Sequence, residues 1–254
     1  MLIKLLKKIA LKACSVIILL LCFPFFKGNA QSKDRDSLVA RIVEGASMKI
    51  NIPYFVTSED LDRLRGQVLH FDPDANLEKY PLFEYHVIMD RISPLKIGQN
   101  VPKEVLDLPI RIVNGKAGQD SVTLHELSKN KILVLDFWAT WCAPCLASMH
   151  KWKELYPKYK DQVEVVGLML DYDYKAERTI RKRDWSMPQL IGPEVYLLNA
   201  YFCGTPVTGP SAWIRDGVLI GITDATADVE NILKRMVSGE ISTIPDEDMW
   251  KSPF

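Results

Sequence analysis

Three features of this sequence predict an α/β fold: a mixed sheet flanked by helices, with a small N-terminal extension. Two predominantly apolar runs, KILVLDFW over 131–138 and VEVVGLML over 163–170, read as buried strands. Between them a helical pattern begins at about Ala143, and another, charged, follows at Tyr174–Trp185. A hairpin then forms from Ser211–Ile214 and Val218–Ile222 around the turn dipeptide Asp216-Gly217. Strands that alternate with helices and finish in a hairpin predict a sandwich of helices on a mixed sheet.

The remaining elements fall around this series. Ile110–Val113 and Ser121–Val122 flank Asn114-Gly115 and a polar turn, a second hairpin. Thr123 to Glu126 has the form of a capping box and opens a short helix. Ala227–Val237 is an amphipathic closing helix. Upstream, Ser37–Val43 and Met48–Val56 carry β-like apolar runs, Thr57-Ser58-Glu59-Asp60 precedes a brief helix through Arg65, and Pro81–Ile92 is strand-like. The expected organisation is a leader at 1–30, an extension at 31–95, the main domain at 96–240 and a tail at 241–254. The extension carries no motif. It is expected to pack on the main domain, and a docking surface for a partner is the sharper alternative.

The chain has 254 residues, 48% of them hydrophobic and 25% charged, with 32 basic and 32 acidic side chains. This excludes collagen-like, low-complexity and wholly disordered chains, and zero net charge gives no support for nucleic-acid binding. The balance is local, however. Residues 1–30 carry Lys4, Lys7, Lys8, Lys12 and Lys27 and no acid, which leaves 27 basic against 32 acidic residues beyond them, a net of −5.

Those thirty residues have the layout of a secretory signal peptide. A basic start is followed by the uncharged run ACSVIILLLCFPFF at 13–26, and Gly28-Asn29-Ala30 places small residues before a cut at Gln31. The run is shorter than the roughly 20 apolar residues of a spanning helix. A retained anchor, and hence membrane association through an uncleaved leader, is the alternative. A lipoprotein at Cys22 is disfavoured by the bulky Leu21 before it. Export places the mature chain outside the cytoplasm, where Cys142, Cys145 and Cys203 remain. Three cysteines do not make a disulfide-stapled scaffold.

The chemistry concentrates in Asp136-Phe137-Trp138-Ala139-Thr140-Trp141-Cys142-Ala143-Pro144-Cys145, where a strand gives way to a helix. The attacking species in disulfide exchange is a thiolate, and an ordinary thiol with a pKa of about 8.5 is mostly protonated at neutral pH. Unpaired backbone N–H groups and the helix dipole favour a negative sulfur at a helix start. Cys142 falls there, Cys145 lies three residues on along the same face, and Pro144 fits the first turn. In that arrangement Cys142 forms a mixed disulfide, Cys145 resolves it, and Trp141 offers a flat apolar surface beside the sulfur. A structural staple is a poorer account of a cysteine pair at a helix start. A zinc half-site needs two more ligands; Cys203, His70, His86, His125 and His150 show no paired ligand spacing, so no metal is expected. No Gly-rich phosphate loop or Ser/His/Asp signature is present, and no cofactor is expected.

The segment LDFWATWCAPC resembles the thioredoxin superfamily, and the exported leader with Lys96-Ile97-Gly98-Gln99 is more similar to its TlpA/ResA branch of membrane-associated thiol–disulfide oxidoreductases. The resemblance covers about 96–238 and implies a thioredoxin-like fold. It also implies that Asp136, six residues before Cys142, helps take the proton of the resolving thiol. A proline opposite the cysteines is implied to be cis and to bind polypeptide; Pro210, preceded by Gly209, fits best, with Pro206 second. Trp138 is expected either near the site or in the core. The branch usually carries an acid three residues after the second cysteine and a proline two further on, and here Ser148 and His150 stand there. Pro157 is then the residue placed to end or bend the helix, and His150 reads as a solvated helix residue. Cys203 reads as a small buried hydrophobe.

Leu146, Met149, Trp152, Tyr156 and Tyr159 form a core stripe at helical spacing, and Arg178, Arg181, Lys182 and Arg183 a solvated face. The expected function is an extracytoplasmic thiol–disulfide oxidoreductase, acting as a reductase on protein thiols and disulfides with an unidentified electron donor. The alternatives are a thiol-dependent peroxidase, which lacks its Thr-x-x-Cys site here, and a non-catalytic binding module.

Overall fold

A computed structural model describes residues 50–54, 58–87, 89 and 92–251. The leader, the run at Ser37–Val43 and Thr57 of the proposed cap lie outside the described residues.

The sheet grows outward from its most apolar strand. Every residue of β5 (Ile132–Trp138) is buried, and so is every residue of β6 (Val163–Met169), which runs parallel to it from Ile132↔Val163 to Trp138↔Met169. Such near-continuous apolar runs are what strands covered on both faces require. On its other side β5 pairs antiparallel with β8 (Ser211–Arg215), placing Asp136 opposite Ser211. Adding β3 (Ile110–Ile112), β4 (Ser121–Val122), β7 (Gln189–Ile191) and β9 (Val218–Thr223) gives seven strands in the order β4-β3-β7-β6-β5-β8-β9. A parallel β–α–β unit followed by an antiparallel hairpin and a closing helix makes this a thioredoxin-like mixed sheet, as expected.

Helices cover the faces. In chain order they are α1 (Ser58–Phe71), α2 (Lys103–Leu106), α3 (Leu124–Leu127), α4 (Ala143–Tyr159), α5 (Lys175–Arg183), α6 (Pro193–Cys203) and α7 (Val229–Val237). Thr123 forms the predicted capping box with Glu126 at the start of α3. On α4, Met149 and Trp152 are buried and Leu146, Tyr156 and Tyr159 pack partly buried against the core, as the stripe predicts. Pro157 lies inside α4 and does not end it; the helix runs two residues further, to Tyr159.

Three elements were not foreseen: the one-turn α2, β7 and α6. β7 has only three residues. α6 is buried along nearly its whole length, so it shows no polar face and no amphipathic period. Its punctuation was in the sequence: Pro193 opens it after Gly192, and Gly204 closes it in the left-handed region at φ 72°.

The described residues of the extension pack on this frame. β1 (Ile50–Tyr54) and β2 (Glu84–Val87) form their own antiparallel ribbon against α6. The Tyr85 ring lies 5.2 Å from that of Tyr196 on α6. Tyr80 donates to Glu177 on α5 at 2.8 Å, Lys79 pairs with the same carboxylate, and Asp72 pairs with Arg178 at 2.6 Å. Arg178, expected on a solvated face, thus also holds the extension. At the other end of the chain Ile244 packs on Gly221 of β9, where a Cβ would come within 2.4 Å of it. The tail N–H groups of Ile244 and Trp250 donate to Ile220 and Ile222. No described helix is long and apolar enough to cross a membrane.

Candidate redox site

β5 ends at Trp138 and α4 begins at Ala143, so the four residues between them form a tight loop over the end of the sheet. Its turn is closed by the Cys142 N–H donating to Ala139 at 3.1 Å. Cys142 is the N-cap of α4: its backbone is extended (φ −87°, ψ 95°) and its Sγ accepts the Cys145 N–H at 3.3 Å. A sulfur thus takes the place usually filled by a serine or aspartate oxygen, and one of the unpaired N–H groups of the helix start points at it. Cys142 and Cys145 form a disulfide, with Cα atoms 5.3 Å apart. The two sulfurs differ in access: Cys142 is half-buried, whereas Cys145 is fully buried in the core with Met149 and Trp152. Trp141 is 68% exposed beside them.

Asp136 lies beneath, in the centre of β5. It is fully buried, and its Oδ2 accepts from Ser148 Oγ at 2.8 Å, Trp152 Nε1 at 2.9 Å and Ser211 Oγ at 3.0 Å. Oδ1 is buried with no hydrogen-bond partner among the described residues. Burial pushes this carboxyl up to about 6, against the smaller opposing effect of the three donors. A buried acid of that strength can exchange a proton near neutral pH.

A second aspartate secures the loop. Asp171, at the end of β6, accepts the Thr140 N–H at 3.3 Å and the Thr140 hydroxyl, while Lys175 donates to its other oxygen at 2.8 Å. Neither Asp171 nor Thr140 was singled out from the sequence, because only the β5–β6 pairing brings them together. Trp138 is a core residue: its indole donates to Gln189 Oε1 at 3.0 Å and meets Trp185 edge-on at 5.0 Å. Gln189 fits there because Gly167 has no side chain; a Cβ would come within 2.1 Å of its amide oxygen.

The expected cis proline needs correction. The Gly209–Pro210 bond is trans, as is every described peptide bond, Pro206 included. Gly209 takes the turn instead, at φ 112°, a conformation that glycine tolerates without strain. Pro210 then continues β8 along β5: the Phe137 N–H donates to Pro210 at 3.1 Å and the Gly209 N–H to Phe137 at 2.7 Å. Both residues are buried, and the Gly209 N–H is used inside the sheet. His150 is exposed and lies 3.4 Å from Glu154. Cys203 is buried, and burial pushes its thiol up to about 12.

The fold and the dithiol at the helix start together define a thioredoxin-like redox protein. Comparison with known proteins narrows this. Residues 97–217 match the AhpC/TSA family. The chain is 31% identical over 118 residues to the thiol-disulfide oxidoreductase ResA of Geobacillus kaustophilus, covering 45% of this chain and 67% of that one. It is 31% identical over 112 residues to ResA of Bacillus cereus, covering 43% of this chain and 60% of the relative's length. A solved structure similar to it is the thioredoxin domain of a thiol-disulfide oxidoreductase from Bacteroides vulgatus, at 18% identity and a TM-score of 0.46, covering 56% of this chain and 99% of that one. The chain belongs to the ResA-like, thioredoxin-fold family of thiol–disulfide oxidoreductases.

Proposed function

We propose that this protein is an extracytoplasmic thiol–disulfide oxidoreductase that reduces disulfides of protein partners. The observation that carries the reading is the asymmetric pair at the start of α4, Cys142 reachable and Cys145 enclosed.

The geometry supports the following sequence. In the reduced protein the Cys142 thiolate attacks a partner disulfide. One partner sulfur leaves as a thiolate, and the other is held in a mixed disulfide on Cys142. Cys145 then gives its proton to the Asp136 carboxylate and attacks the Cys142 sulfur. The second partner thiolate departs, and the Cys142–Cys145 disulfide remains. Two electrons pass to the partner, and a donor dithiol of unidentified origin restores the Cys142–Cys145 dithiol by the reverse exchange and is itself left as a disulfide. Trp141 supplies an apolar surface for the partner, whereas Gly209 and Pro210 are buried against Phe137 of β5.

The layout of residues 1–30 supports export. The reducing direction rests on the resemblance to the TlpA/ResA branch. Potentials of related dithiols span roughly −270 to −120 mV, and a value near the oxidising end overturns the reductase assignment. The mechanism is tested by trapping. Cys145→Ala stalls exchange at the mixed disulfide on Cys142, so partner proteins are recovered as adducts that a thiol reductant releases. Adducts that persist when Cys142 is also replaced by serine refute the assignment of Cys142 as the attacking sulfur.

A further inference from the structure

The two oxygens of Asp136 are not equivalent. Oδ2 receives three donors, one from β8 (Ser211) and two from α4 (Ser148 and Trp152), at 2.8–3.0 Å. Oδ1 receives none, although it is equally enclosed. An oxygen that already accepts three hydrogen bonds is a poor site for a proton, because protonation there would break or weaken them. The bare oxygen is where protonation relieves a buried, unsolvated charge.

The surroundings leave these donors in control. Across the sheet Asp136 faces Gly167 on β6 and Ser211 on β8, neither of them charged. From α4 it meets the neutral Ser148 and Trp152. The titratable group that this helix buries in the same core is Cys145, one turn before Ser148. No ion pair reaches the carboxyl among the described residues, so hydroxyl and indole donors alone oppose the cost of burial. Ser148 and Ser211 are themselves buried, at 4% and 1% exposure, so solvent does not compete for their hydroxyls.

We infer that Ser148, Trp152 and Ser211 are positioning residues that hold Asp136 by Oδ2 and reserve Oδ1 as the atom that takes and returns the exchanging proton. This rests on the reading of Asp136 as the acceptor of the Cys145 proton. Each lost hydroxyl makes the carboxylate a stronger base and moves its titration upward.

The test separates the two claims. Carbon-13 NMR of the labelled Asp136 carboxyl is followed through pH in the oxidised protein, where neither Cys142 nor Cys145 titrates. Ser148→Ala and Ser211→Ala are each expected to raise the midpoint by about one pH unit, and Ser148→Thr, which keeps the hydroxyl, to restore it. In the reduced protein, the pH profile of mixed-disulfide release should move by the same amount, while alkylation of Cys142 by iodoacetamide keeps its rate. Midpoints unchanged in both alanine variants overturn the inference and leave the exchange reading intact. A midpoint that moves while the release profile stays still also overturns it, and removes Asp136 from the proton step. An unmodified protein with no disulfide exchange refutes the functional reading itself, a result the carboxyl titration does not depend on.

Discussion

Two buried aspartates flank the loop that carries Cys142, and they are satisfied in opposite ways. Asp171 is held by a lysine ammonium, the backbone N–H groups of Thr140 and Tyr172 and the Thr140 hydroxyl, so a counter-charge stands beside it. Asp136 meets only neutral donors and keeps one oxygen bare. A buried carboxylate with a cation beside it is a structural part: it ties the end of β6 to the loop. A buried carboxylate without one stays poised between two protonation states. The residue type is the same, and the difference lies in whether the fold supplies a counter-charge.

Replacing each aspartate in turn should therefore give opposite outcomes. Asp136→Asn is expected to slow mixed-disulfide release by about 10²-fold, within the usual range for a lost general base, and yet to stabilise the protein. The folded-state value of about 6 lies above the ordinary 3.8, so the folded chain holds this proton more tightly than the unfolded chain. Stability from this group is complete below pH 3.8 and is lost as pH rises through 6. The full difference corresponds to about 3 kcal/mol. Urea unfolding should show the asparagine variant ahead of the native protein at pH 8 and level with it near pH 3.5. An asparagine variant that is less stable at pH 8 breaks the contrast.

Asp171→Ala should do the reverse. Loss of hydrogen bonds to a charged group is expected to cost about 2–3 kcal/mol of unfolding free energy, with a loop that no longer holds Cys142 in register. The shape of the release pH profile should be unchanged, since Asp171 reaches the loop through Thr140. A shifted profile would mean that the two acids share the chemistry. The smallest effect is expected at Cys203, a buried thiol whose sulfur accepts from the Asn199 amide at 3.7 Å. Cys203→Ala should cost about 1 kcal/mol through the small void it leaves and leave insulin reduction at the native rate. A loss of reductase activity there would reveal a third working sulfur.

The legible parts of the molecule share a local cause. KILVLDFW and VEVVGLML announce buried strands by composition alone, Asp216-Gly217 marks its own hairpin, and Cys142, Cys145 and Asp136 stand at spacings within one strand–loop–helix unit. What escaped depends on contacts distant in sequence. Asp171 and Ser211 reach the site only through the register of β6 and β8 against β5. Ser148 was noted for the acid it replaces, and its bond to Asp136 shows what the hydroxyl does there. α6 was overlooked because a helix enclosed on all sides has no polar stripe to betray its period. The cis bond expected at Pro210 is trans, and Gly209 before it takes a positive φ, a backbone detail that the residue types alone do not fix.

The chain that crosses β9 near its end has a further consequence. With Ile220 and Ile222 already accepting from Ile244 and Trp250, that rim of the sheet has few carbonyls left to recruit a strand from another molecule. The opposite rim, β4, is two residues long, too short a template for ordered growth. Both rims of the sheet are thus protected from pairing edge to edge with a strand of another molecule. Cutting the chain before Ile244 is the simplest way to remove that protection.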